Sequence, residues 1–155
     1  MDLIRAFNVL RQYNETEVES AWSMMQSRLS EKGLLVEGTC DEIGRVSSWV
    51  TLTRAEPISF TISLQLGSLN RPSKVAERLP KILIHKNTPG NKIHSLLTAM
   101  DREWEKAAAL ASFGADQRFA AMAKALIQAG WPVLSSQKRF RLGEITFDWS
   151  AVSPD

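Results

Sequence analysis

Residues 57–66 read PISFTISLQL, and their alternation decides the class of fold. Ile58, Phe60, Ile62, Leu64 and Leu66 fall at every second position, with Ser59, Thr61, Ser63 and Gln65 between them. A period of two sends successive side chains to opposite faces, so this stretch predicts a strand with one buried and one wet face. Just upstream, Val46, Ser48, Val50 and Leu52 share one face of an extended segment, and Arg45, Trp49, Thr51 and Thr53 share the other. The turn Arg54-Ala55-Glu56-Pro57 joins the two, and Leu34 to Thr39 adds a third antiparallel strand. Short loops between neighbours make a meander the simplest topology.

Working outward, the period changes to that of helices. Leu3, Phe7 and Leu10 at helical spacing predict a first helix over 2–13. Asn14 and Glu17 then resemble a capping box, and Val18, Ala21, Trp22, Met25 and Leu29 line a second helix that ends near Lys32, with Gly33 as its stop. Beyond the strands, Ser73 caps a short helix through Leu79, which Pro80 ends. The run 81–86 (KILIHK) reads equally as strand or helix. A long helix over 92–113 carries Ile93, Leu97, Met100 and Trp104 with an Ala-rich end, and Gly114 closes it. A further helix over 116–129 stops at Gly130. The C-terminus predicts a hairpin of 139–142 and 145–149 about Gly143-Glu144. The order α-α-β-β-β-(α/β)-α-α-β-β groups strands and helices in blocks. That predicts one α+β domain over 1–155, its antiparallel sheet a meander of about three strands plus the hairpin.

Composition sets outer bounds. With 155 residues, 44% hydrophobic and 23% charged, the chain can bury a core without staples. Its single cysteine, Cys40, excludes an internal disulfide and a multi-Cys zinc ribbon. Neither a spanning apolar run nor a secretory signal pattern is present, so the reading is a cytoplasmic protein without membrane contact, cofactor or metal.

The net charge of +2 hides an asymmetry: residues 1–68 hold six basic and nine acidic side chains, residues 69–155 thirteen and eight. Arg71, Lys74, Arg78, Lys81, Lys86 and Lys92 crowd one segment against Glu77 alone, and Lys138, Arg139 and Arg141 sit in the predicted hairpin. Together these nine are candidates for a phosphate-facing, nucleic-acid-binding surface, or they simply solvate a loop.

Catalytic patterns are sparse. No phosphate-binding loop, dinucleotide fingerprint or nucleophile elbow occurs. His94, Asp101 and Glu105 share one flank of the long helix, which leaves an acid–base enzyme as the third reading. The five tryptophans divide differently: Trp22 and Trp104 lie on apolar stripes, whereas Trp49 lies among Thr51 and Thr53 on the polar side of a strand. An exposed Trp on a sheet suits a protein contact; the other reading is that helices cover this face and its hydroxyls pack against them. The leading expectation is therefore a small non-catalytic accessory or regulatory protein, of a kind that phages and mobile elements carry. It would act on a protein partner through Trp49, Thr51 and Thr53, or as a homodimer through the sheet or the Ala-rich end of the long helix.

Overall fold

The three alternating segments form strands β2 (Leu34–Cys40), β3 (Val46–Leu52) and β4 (Pro57–Leu64), paired antiparallel as a meander. The structure is a computed structural model that describes residues 1–154. Two further strands complete the sheet, β1 (Leu3–Phe7) beside β2 and β5 (Glu144–Asp148) beside β4, in the spatial order β1-β2-β3-β4-β5. Only β1 runs parallel to its neighbour. Helices α1 (Glu15–Gln26), α2 (Lys81–Ile84), α3 (Lys92–Lys106), α4 (Ala115–Gln128) and α5 (Gln137–Arg141) complete an α+β domain. No helix among the described residues is long and apolar enough to cross a membrane.

The register sorts the sheet into two faces. Ala6, Leu35, Val50, Leu52, Phe60, Ile62, Ile145 and Phe147 point to one side and are buried. Against them pack Val18 and Trp22 of α1, Ile93, Met100 and Trp104 of α3, and Phe119 and Met122 of α4. Trp104 meets Phe119 edge-on at 6.4 Å and donates its indole N–H to the Asn70 carbonyl at 2.8 Å. The 3-10 turn Pro72–Arg78 also lies on this side, because Ser48 reaches it and donates to the Arg78 carbonyl.

One carboxyl is buried in this layer. Glu37, 1% exposed, pairs with Ala6 and Val50 across the sheet. Burial pushes its pKa up to about 7, opposed by the Trp22 indole N–H that donates to it at 2.9 Å. Thr39, two residues along on the same face, has a buried hydroxyl with no partner among the described residues.

Several expectations change. The segment 2–13 is not a helix. Ile4 and Ala6 turn inward while Leu3 and Arg5 turn outward, and pairing with β2 outweighs a spacing that also fitted a helix. Only Leu10–Gln12 makes a helical turn. The next helix ends at Gln26 rather than Lys32, and Asn14 flanks it without a side-chain cap. Gly33 is instead a close-approach residue, since a Cβ there would lie 2.8 Å from the Met1 carbonyl oxygen. The long helix stops at Lys106, and the Ala-rich end continues as the 3-10 turn Ala108–Phe113, with Phe113 exposed. The ambiguous run 81–86 opens as the helical turn α2.

The C-terminal hairpin is absent. β5 pairs with β4 on one edge, and on the other the Leu134 N–H donates to the Thr146 carbonyl at 2.8 Å while the Asp148 N–H donates to Pro132 at 2.9 Å. No edge is left for 139–142. That stretch coils as α5, whose single inward residue, Phe140, is buried.

Candidate functional site

Among the described residues, the second face of the sheet is bordered by a helix only at its β5 end, where Arg139 of α5 stands. Its side chains line up in rows across the strands: Arg5–Val36–Thr51–Ser59–Asp148, then Phe7–Gly38–Trp49–Thr61–Thr146, then Cys40–Ser47–Ser63–Glu144. The β1 and β2 end is apolar and aromatic, and exposed Leu3 and Leu34 extend it. The middle is a field of hydroxyls, and the β5 end is acidic.

Gly38 makes the aromatic part possible. A Cβ there would lie 2.5 Å from the Trp49 Cβ. Without one, Phe7 and Trp49 close over the glycine with ring centroids 5.9 Å apart. The Arg5 guanidinium sits 4.8 Å from the Phe7 ring centroid, a cation–π distance. Trp49 remains half-buried.

At the other end the chain rises past β5 and walls the face. Leu134, Ser135, Ser136 and Arg139 stand along one side of a depression of about 470 Å³ whose floor is Trp49, Thr51, Ser59, Thr61 and Thr146. The floor is tied together: the Thr61 and Thr146 hydroxyls lie 2.8 Å apart. Arg139 reaches Glu144 at 3.6 Å. Asp148 closes the row beside it, and hydrogen bonds from Ser150 hold its carboxyl below the usual range. On this floor Ser59 and Thr61 are buried among their neighbours, and elsewhere on β4 Ser63 is half-buried and Ile58 is exposed.

Of the predicted contact residues, Trp49 and Thr51 lie in this depression. Thr53 does not. Its hydroxyl faces the Ala55 and Glu56 N–H groups at 3.2 Å, and its carbonyl accepts from Gln26. Arg5 and Phe7 were hidden by the helical reading of 2–13, and with them the role of Gly38, which lies in the strand expected over 34–39. The wall residues were hidden by the hairpin reading of 139–142.

The nine basic candidates divide between two places. Arg71, Lys74, Arg78, Lys81, Lys86 and Lys92 belong to the helical side, along the 72–78 turn, α2 and the start of α3. Lys138, Arg139 and Arg141 belong to α5, where Arg139 bounds the open face. Lys86 stands 3.9 Å from Glu15, Lys81 donates to the Arg11 carbonyl, Lys92 to Ser153, and Arg141 stands 3.9 Å from Asp116. Arg71, Lys74, Arg78 and Lys138 enter no ion pair among the described residues.

The acid–base trio is dispersed by its partners. Asp101 accepts the Ser73 backbone N–H at 2.8 Å and so anchors the 72–78 turn. His94 Nδ1 lies 3.3 Å from the Asn87 side-chain oxygen, and Glu105 faces solvent. Cys40 lies against Asn8, whose side-chain oxygen accepts the Cys40 N–H at 3.0 Å. No protein-family model, curated protein or solved structure matches this chain.

Proposed function

We propose that this chain is a small cytoplasmic accessory or regulatory protein that works by protein–protein contact rather than turnover, and that the uncovered sheet face is its contact surface. The observation that carries the reading is the Phe7–Trp49 pair, seated over Gly38 beside Arg5 at the end of the face away from α5. Trp and Arg are enriched at the residues that dominate binding energy. A continuous apolar patch rimmed by polar groups is the usual mark of a partner surface. Affinity capture with wild-type and Trp49→Ala baits, read by quantitative mass spectrometry, tests it. A partner held by the wild type and lost by a normally folded Trp49→Ala variant supports the surface, and identical partner sets on both baits refute it.

A second reading, nucleic-acid binding, draws on Arg71, Lys74 and Arg78, cations of the helical side that make no ion pair among the described residues. Anisotropy titrations of labelled DNA and RNA at 50 and 200 mM salt check it. Contacts to about six phosphates would cost roughly a thousandfold in affinity over that range. The absence of binding at 50 mM rejects it.

A further inference from the structure

We propose that the occupant of the open face is a second copy of this chain, the two sheets stacked face to face about a two-fold axis that runs along β3. The inference rests on the reading of that face as a contact surface and adds the identity of the partner.

β3 is the central strand of five, with β1 and β5 at the two ends. A two-fold axis along β3 exchanges β1 with β5 and keeps each row at its own level, so every row lies over itself reversed. The row that begins with Arg5 ends with Asp148. Reversal therefore sets Arg5 of each copy against Asp148 of the other, twice in one dimer. A contact of this kind is isologous, in which one patch must complement itself. Opposite charges at the ends of a single row meet that requirement.

The middle row complements itself in shape. Trp49 lies on the axis and meets its own mate. Phe7 of each copy falls over Thr146 of the other, at the mouth of the depression bounded by Leu134 and Arg139. That depression, about 470 Å³, has room for an aromatic ring. Arg139 and Glu144 hold each other at 3.6 Å, whereas Arg5, over the Phe7 ring, and Asp148, bonded to the Ser150 N–H, enter no ion pair among the described residues. Arg5 and Asp148 are thus the charges that a second copy would pair. Stacked sheets pack about 10 Å apart with strands within about 30° of parallel, which this axis provides. A patch of five strands at about 4.8 Å spacing and about five residues in length is on the order of 400 Å² in projection. This is small for a permanent dimer, so association depends on concentration.

Sedimentation equilibrium of the full chain from about 1 to 500 µM at 50 mM salt reads the prediction. The wild type is expected to form a dimer that loosens with salt. Arg5→Asp and Asp148→Arg are each expected to weaken it at least tenfold. An equimolar mixture of the two restores association. In the mixed dimer the acid introduced at position 5 of one copy meets the cation introduced at position 148 of the other, and the second site keeps its native Arg5–Asp148 pair. Should Asp148→Arg fail to fold for want of its bond to Ser150, Thr51→Arg replaces it: Thr51 lies on the axis, so two added cations would abut and the dimer is expected to be lost. Three results overturn the proposal: a wild type monomeric throughout, a mixture no tighter than its parts, or a dimer indifferent to both Arg5→Asp and Thr51→Arg. A monomeric chain that still loses a captured partner on Trp49→Ala removes the second copy and leaves the contact surface standing. A monomer without Trp49-dependent capture removes both.

Discussion

Replacing Glu37 by Gln should reshape how stability depends on pH. Glu37 lies in the core, and its carboxyl keeps its proton up to about pH 7, whereas in the unfolded chain it ionises near 4.5. Below 4.5 both states hold the proton and the group is neutral in the balance. Between 4.5 and 7 the unfolded chain releases a proton that the folded chain retains, so stability falls as pH rises, by about 1.4 kcal/mol per pH unit. Above 7 both states are ionised and the loss is complete, about 3 kcal/mol in all. Glutamine keeps an oxygen for the Trp22 indole N–H and removes the ionisation. Urea unfolding of wild type and Glu37→Gln, followed by tryptophan fluorescence at pH 5, 6, 7 and 8, isolates the effect, because every other titrating group is common to both. The variant should gain about 2.5 kcal/mol on the wild type between pH 5 and pH 8, the part of the loss that accrues above pH 5. A difference that stays constant across the series would refute the assignment of a buried, protonated carboxyl.

Other substitutions probe the fold and the face. Gly38→Ala drives a methyl against the Ser48 carbonyl oxygen and to 2.5 Å from the Trp49 Cβ, and chemical denaturation should show a loss of about 1–3 kcal/mol as the β2–β3 pairing and the Phe7–Trp49 pair give way. Phe140→Ala should cost about 3–5 kcal/mol, as for a fully buried aromatic, whereas its exposed neighbour Arg141→Ala should cost under about 1 kcal/mol. Equal losses at the two positions would contradict the packing of α5. Asp101→Ala removes the acceptor of the Ser73 N–H and should lower the melting temperature by an amount equivalent to about 1–3 kcal/mol.

The parts legible in the sequence were those whose period is unambiguous. In 58–64, apolar residues alternate with hydroxyls at a strict period of two, and in 46–52 Val46, Val50 and Leu52 keep the same period on one face. The stripes of α3 and α4 were equally plain, and Gly130 ends α4 with φ +99° as expected. The failures fell where few residues carry the pattern and a distant strand decides. Five residues, Leu3–Phe7, fit either period until β2 offers an edge to pair with. Phe140 between two arginines fits a strand or a helical turn, and the choice is made by Pro132–Leu134 occupying the outer edge of β5. The candidate site suffered for the same reason. Trp49 and Thr51 were found on their own strand, but the neighbours that turn them into a surface, Phe7 over Gly38 and Arg139 beside Glu144, come from segments distant in sequence and are set by register.

The pairing of β4 with β5 also bears on how the protein is made. The first four strands are continuous in sequence apart from α1, yet roughly 80 residues separate Leu64 from Glu144. At about 5–20 residues per second, a ribosome needs on the order of 4–16 s to supply the strand that closes this side of the sheet. Through that interval the β4 edge, with Phe60 and Ile62 on its core face, stands as an unpaired template for any other extended chain. Nascent copies on neighbouring ribosomes would meet while this edge is open, so yield on overexpression should improve when translation is spaced out or a holding chaperone is abundant.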